Sequence, residues 1–281
     1  MVAPLTKPDF IRSRDLLLQS CGIYLEDDKD YLVETRLASM AEELGCKNFF
    51  ELYSRIVQEK QRLLPKLIDL MTTNETYWFR DDSLWAMMEQ HLIPELLEKL
   101  VRGHKSSIRI WSAACSTGQE VYSLKILFDE LARRKGVTHH LKSVSFLATD
   151  ISSTVLFLAK SGRYNSMSLS RGLSDLRKQA YFEKVGETVW KIKDELKENI
   201  RFERFNLMDE FSSYGKFDMI LCRNVLIYFS IDCKKELLKK FHASLGADGT
   251  FLLGASESVF NYSSDFETKE FGRGVCYRPK V

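Results

Sequence analysis

Apolar residues recur at helical spacing from residue 8 to about residue 72. In "PDFIRSRDLLLQSCG" they are Phe10, Ile11, Leu16, Leu17 and Leu18, and the run stops at Gly22. "KDYLVETRLASMAEELG" repeats the pattern with Leu32, Val33, Leu37, Met40 and Leu44 and stops at Gly45. "NFFELYSRIVQEK" and "LLPKLIDLMTT" continue it with no strand-like run between. The pattern predicts an N-terminal helical domain over residues 1–72. "TTNETYWFRDD" then breaks the rhythm with polar and aromatic residues, and residues 73–82 read as a linker. "SLWAMMEQHLIPELLEKL" predicts a helix that Pro94 kinks or divides.

From residue 107 strands and helices alternate. The strands expected are Ile108–Ala113, Val144–Thr149, Ile200–Phe205, Phe217–Cys222 and Thr250–Gly254. Helices are expected at Glu120–Lys135, Ser153–Lys160 and Asp232–Leu245. Nearly unbroken apolar strands such as "FDMILC" imply an α/β domain, a mostly parallel sheet covered on both faces, over residues 83–281. "FETKEFGRGVCYRPK" has a glycine-centred turn and predicts an antiparallel hairpin at the C-terminal edge of the sheet. Within residues 163–199, "YFEKV" and "TVWKIK" flank another turn and predict a small inserted β-subdomain; a helical crossover is the alternative.

Composition narrows the function. The chain has 281 residues, 44% of them hydrophobic, which is ample for a packed core. Its 41 basic and 39 acidic side chains nearly cancel, against the expectation for a bulk nucleic-acid or membrane-surface binder. Six cysteines include no Cys-x-x-Cys pair, which disfavours a zinc ribbon or redox motif and fits free thiols in a reducing cytosol. The charged N-terminus lacks a secretory pattern, and no apolar run approaches the roughly 18–20 residues of a membrane span. A soluble, cytoplasmic protein is expected, with a monomer as the default.

The candidate chemistry lies after the strands, where ligands of doubly wound sheets collect. "IRIWSAACSTGQEVYSL" is a strand, a small-residue loop and a helix start. Its loop has the single Gly118, so the three-glycine pyrophosphate cradle is missing. Glu120 at the helix start repels phosphate and attracts an ammonium group; complementing the helix dipole is its plainer role. Asp150 ends the second strand, where an acid can take the two ribose hydroxyls of an adenosine, or cap the next helix in competition with Ser152. Asn206 follows the third strand; its amide can read an adenine edge, or serve a turn. Arg223, Asn224 and Tyr228 follow the fourth strand and so belong to the crevice by position. An adenosine site, an acid for an ammonium and no phosphate cradle point to S-adenosylmethionine.

Six blocks, "TTNETYWFRD", "IRIWSAACSTGQEVYSL", "FLATDIS", "FNLMD", "KFDMILCRNVLIYF" and "GTFLLGASES", give the chain a resemblance to a known family. In order and spacing they resemble the chemotaxis receptor methyltransferases, the CheR type of protein-glutamate O-methyltransferase, over nearly the whole chain. The resemblance implies a Rossmann-like S-adenosylmethionine-dependent methyltransferase domain with an inserted β-subdomain and an N-terminal helical domain. It implies methyl transfer to glutamate carboxylates on the cytoplasmic helical region of chemoreceptors, with S-adenosylhomocysteine as product. By position it implies that Asn74, Thr76 and Arg80 close over the methionine end of the cofactor. Ala113 and Glu120 then hold its amino-acid tail, Asp150 the ribose, and Asn206 and Leu207 the adenine. Asn224 and Val225 line the floor, and Tyr228 lies near the transferred methyl. Arg80 and Tyr228 are the residues expected to organise the reaction. No metal is expected.

Two departures from the family pattern bear on partners. The second helix keeps Arg36, whose plainer role is a solvated charge, but has Ser39, Met40 and Glu42 where basic residues are expected. The turn in "EKVGETVW" is short and has the single Gly186, which predicts weak or no tethering to a receptor C-terminal peptide. A cofactor-binding regulatory scaffold with little catalysis is the alternative function. Nucleic-acid methylation is disfavoured because no Pro-Pro signature occurs, and a dehydrogenase by the glycine-poor loop.

Overall fold

Four helices form where the apolar stripes lie: α1 (Lys7–Cys21), α2 (Asp30–Glu43), α3 (Phe49–Gln58) and α4 (Lys60–Met71). The computed structural model describes residues 2–280. Thr6 caps the first helix by accepting from the Asp9 amide, and Asn48 caps the third through the Glu51 amide. Phe10, Leu17, Val33, Leu37, Leu52 and Leu63 meet in a core of their own, distinct from the two cores that cover the sheet.

The helical bundle touches the sheet domain at specific points. Ile23 forms an isolated antiparallel bridge with Phe229, and the Tyr24 amide donates to the Tyr228 carbonyl at 2.8 Å. The Asn206 Nδ2 donates to the Ser20 carbonyl at 2.8 Å. Thr154 donates to Asp69 at 2.9 Å.

After the linker come α5 (Asp82–Met87), a π-helical turn (Met88–Leu92) and α6 (Ile93–Val101). The interruption expected at Pro94 is therefore present, one turn early: proline lacks an N–H, and the backbone ahead of it widens to the π pattern.

The sheet follows with β1 (Ile108–Ala113), α7 (Gln119–Lys135), β2 (Val144–Asp150) and α8 (Ser153–Ser161). A short segment then holds β3 (Arg163–Asn165), α9 (Ser166–Ser170), α10 (Asp175–Tyr181), β4 (Phe182–Lys184) and β5 (Val189–Ile192). The chain returns through β6 (Ile200–Arg204), β7 (Phe217–Cys222), α11 (Ile231–Ser244), β8 (Leu245–Leu252), β9 (Phe266–Phe271) and β10 (Gly274–Pro279).

Seven strands lie in the order β6-β2-β1-β7-β8-β10-β9. The first five are parallel; β10 runs antiparallel to β8, and β9 to β10. This is the mostly parallel, Rossmann-like sheet with an antiparallel C-terminal edge that the alternation predicts. The strand order reverses between β1 and β7, so a crevice opens at their carboxyl ends. The inserted segment is a separate antiparallel sheet, β3-β5-β4, in which the expected hairpin pairs Phe182 with Ile192.

One strand differs from expectation. β8 begins at Leu245 rather than Thr250, pairing Leu245 with Phe217 and then Thr250 with Met219. The polar residues between bulge outward, where Asp248 takes Lys99 at 2.7 Å and Lys105 at 2.8 Å.

Candidate functional site

The crevice at the end of β1 and β7 is a cleft with three walls. The helical bundle supplies one, the linker a second, and the loops after β1, β2, β6 and β7 the third. Asn74, Thr76, Arg80, Glu120, Asp150, Asn206, Leu207, Asn224, Val225 and Tyr228 all line it. Ala113 does not: it is buried at the end of β1, and its neighbour Ala114 faces the cleft instead.

Backbone strain concentrates here. Ala114, Ser116, Phe79, Asp81 and Asn224 have φ values of 60°, 50°, 50°, 71° and 56°. Each is a left-handed conformation that costs a non-glycine residue on the order of 1–3 kcal/mol and persists only where the surroundings enforce it. At Gly118 (φ 92°) the loop passes so close to α8 that a Cβ would lie 3.0 Å from the Ala159 Cβ, which accounts for its glycine.

Asp150 is 6% exposed. Its Oδ2 accepts from the Ser116 amide at 2.8 Å and its Oδ1 from the Ser152 amide at 3.0 Å. Burial raises its pKa, and the backbone amides oppose that rise. Ser152, not Asp150, caps α8, accepting from the Val155 amide. A carboxylate has about four acceptor positions, so Asp150 keeps two for a ligand.

At the opposite end, Glu120 Oε1 accepts from Ser112 Oγ at 2.7 Å and Oε2 from Arg223 Nη1 at 2.8 Å. The Arg223 side chain is 3% exposed. Its Nη2 donates to Asp81 Oδ2 and to the Arg80 carbonyl, both at 2.7 Å. Two carboxylates share one guanidinium, which leaves one net negative charge at this end.

The linker is fixed from both sides. Trp78 is fully buried, edge-on to Tyr164 at 4.9 Å and to Phe182 at 5.2 Å, so the inserted sheet holds it. A Cβ on Gly172 (φ 89°) would fall 1.9 Å from the Trp78 carbonyl, so only glycine lets the inserted segment approach this closely. Ser116 Oγ donates to the Asn74 carbonyl at 2.8 Å, and Asn74 Nδ2 donates to Thr72 Oγ1 at 3.3 Å. Arg80 lies over the Tyr77 ring at 5.4 Å and donates to the Glu75 carbonyl at 3.3 Å. Arg36 donates to the Met71 carbonyl at 2.7 Å and to Thr73 Oγ1 at 3.2 Å. It therefore closes the carboxyl end of α4 rather than standing as a solvated charge.

Asn206 is partly committed: besides its bond to Ser20, its Oδ1 accepts from the Met208 amide at 3.1 Å. One N–H and one lone pair remain for a base edge. The Asn224 amide donates to Glu257 Oε2 at 2.6 Å, and the Gly254 amide to the same oxygen at 2.9 Å.

Sequence reasoning assigns no role to Trp78, Gly172, Arg223 or Glu257. Only Arg223 left a signal, a cation directly after an apolar strand, which must find buried partners. The donor set suits an adenosine bearing an amino-acid tail and no phosphate. One acid has free acceptor positions at a strand end, and a net negative cluster stands at a helix start. Among the described residues, no group of His, Cys, Asp or Glu could hold a metal ion. No helix among them is long and apolar enough to cross a membrane, and all six cysteines are free.

Comparison with known proteins agrees with this geometry. The family model described as "CheR methyltransferase, SAM binding domain" matches residues 74–275, and "CheR methyltransferase, all-alpha domain" matches residues 8–72. Chemotaxis protein methyltransferase 1 of Pseudomonas aeruginosa is 41% identical over 97% of this chain and 98% of its own. Chemotaxis protein methyltransferase Cher2 of Pseudomonas putida is 39% identical over the same shares. Chemotaxis protein methyltransferase 1 of Vibrio cholerae is 41% identical over 97% of this chain and 96% of its own.

Proposed function

The chain belongs to the CheR methyltransferase family, and from that premise we propose that it methylates glutamate side chains of chemoreceptors in sensory adaptation. The observation that carries this reading is the cleft itself. Arg80 stands on its linker wall, and Glu120 and Asp150 line the same cleft. We read residues 1–72 as the helical domain, 73–82 as the active-site linker and 83–281 as the catalytic domain with its insert at about 163–199.

Bound S-adenosylmethionine supplies a methyl group already activated by its sulfonium. A glutamate side chain has an ordinary pKa near 4.3 and is an anion at neutral pH, so the chain need provide no general base. What the chain must do is desolvate and aim that anion, and correct placement alone is worth up to about 7–11 kcal/mol in ideal systems. Arg80 is suited to aiming it, because its guanidinium rests on Tyr77 and a single carbonyl and is free to turn toward an incoming carboxylate. A firm two-pronged grip would stabilise the ground state and slow transfer, so a loose hold is the better design. Tyr228 bounds the same space and excludes water. Asp150 takes the ribose hydroxyls, Glu120 the tail ammonium, Asn206 and Leu207 the adenine, and Asn74, Thr76, Asn224 and Val225 complete the enclosure.

Incubation of the protein with methyl-labelled cofactor and membranes bearing chemoreceptors, followed by peptide mass spectrometry, tests the substrate. Methylated glutamates in receptor helices are expected. Label confined to other residue types or other proteins would remove the glutamate assignment.

A further inference from the structure

Arg223 joins the two walls of the cleft. It bonds Glu120 on α7, and on the linker it bonds both Asp81 and the carbonyl of Arg80. We propose that Arg223 is a positioning residue that couples occupancy of the Glu120 end of the cleft to the placement of Arg80. The inference rests on the methyltransferase reading given above.

The Arg80 carbonyl is held from two directions, by Arg223 Nη2 and by the indole of Trp85, each at 2.7 Å. Trp85 is buried on α5 and provides the fixed point. Arg223 provides the adjustable one. Asp81 follows in a left-handed conformation (φ 71°), with the Arg223 ion pair and a longer contact from the Ala255 amide at 3.4 Å on its carboxylate. That conformation persists only while its neighbours impose it.

The direction of coupling follows from charge. Glu120 and Asp81 share one guanidinium, through Nη1 and Nη2 respectively. A ligand cation beside Glu120 neutralises that carboxylate and leaves Arg223 bound more strongly to Asp81. The linker then tightens, and Arg80 is fixed where the acceptor carboxylate arrives. Arg223 Nε is buried without an acceptor, so the guanidinium retains a spare donor for such a shift. Lysine cannot replace it, because a single ammonium lacks the planar fork that spans acceptors on both walls.

Hydrogen exchange of the linker amides, residues 74–82, measured with and without S-adenosylhomocysteine, tests the coupling. The product should slow exchange about tenfold in the natural protein and less than about twofold in Arg223→Lys at saturating product. Equal protection in the variant would overturn the proposal. If Arg223→Lys does not fold, Asp81→Ala removes the acceptor on the linker side and should lose the protection too; full protection there overturns it equally. A kinetic cycle provides a second readout. Arg223→Lys should lower kcat more than it raises KM, and should have no further effect in an Arg80→Ala background. The same fold-loss in both backgrounds would mean that Arg223 does not act through Arg80. Linker protection without methyl transfer to receptors would strike the substrate reading and leave this coupling standing. Transfer with unchanged protection in the variant would strike the coupling alone.

Discussion

At one end of the cleft Asp150 is held by main-chain amides; at the other, Glu120 is held by a guanidinium it shares with Asp81. The amides at Ser116 and Ser152 do not titrate, and the strand and loop backbone fixes them. That end is rigid, and its weakness is the cost of burying the carboxylate. The Glu120 end meets its charge with charge, but through three side chains on three separate segments. It can be disturbed from a distance, and it reaches the linker that carries Arg80. On the function proposed above, the Asp150 end would serve affinity for the nucleoside and the linker end control of the reaction.

The largest effect that would break this contrast is on Arg80. Arg80→Ala should reduce methyl transfer by about 10²–10³, the usual loss for a positioned charge-stabilising donor. Calorimetry should find product affinity changed by less than about threefold. A parallel loss of affinity would place Arg80 at the nucleoside end instead. Asp150→Ala comes next: a net loss equivalent to one hydrogen bond to a charged acceptor, about 1.5–3 kcal/mol, should weaken cofactor binding by about 10- to 100-fold. Unchanged affinity would remove the ribose assignment.

Acid titration sharpens the difference further. Burial raises the Asp150 pKa above the ordinary value of about 3.9. In the window just above that value, the folded protein therefore binds more protons at this site than the unfolded chain does. This group's contribution to stability accordingly rises as pH falls through the window. If Asp150 takes the ribose as proposed, cofactor affinity should move the opposite way, because the ionised carboxylate would be the acceptor. Binding measured by calorimetry should weaken on acidification, and Asp150→Asn should flatten that dependence. The smallest effect belongs to Arg36. Arg36→Gln removes a charged cap from the end of α4 and should cost about 1 kcal/mol by denaturant titration, leaving catalysis nearly intact.

The sheet was legible because its apolar runs have nowhere to go but a covered interior. Phe217–Cys222 forms with the bounds its sequence predicts, for that reason. The start of β8 was hidden because "GADG" reads as a turn, and only the pairing of Leu245 with Phe217 makes it strand. The helices Ser166–Ser170 and Asp175–Tyr181 are hard to read from sequence because they are only one or two turns long and Met167 and Leu176 face solvent, so the single buried Leu169 makes no stripe. Glu120, Asp150, Asn206, Asn224 and Tyr228 share the cleft because strand ends of a doubly wound sheet share one rim, whereas Asn74, Thr76 and Arg80, on the linker, are placed there only by the family resemblance. Glu257 and Gly172 are unassigned, and Arg223 is placed in the crevice without a role, because their meaning lies in partners far away in sequence: the Asn224 backbone amide, the Trp78 carbonyl and Asp81.

The most direct test of the central claim is the fate of a labelled methyl group after incubation with receptor membranes. A glutamate ester is cleaved by mild base, so the label should enter the receptors and leave as volatile methanol when the pH is raised. Label that survives base would contradict the glutamate substrate, and no label entering the receptors while the product still binds would leave a cofactor-binding scaffold in place of the enzyme.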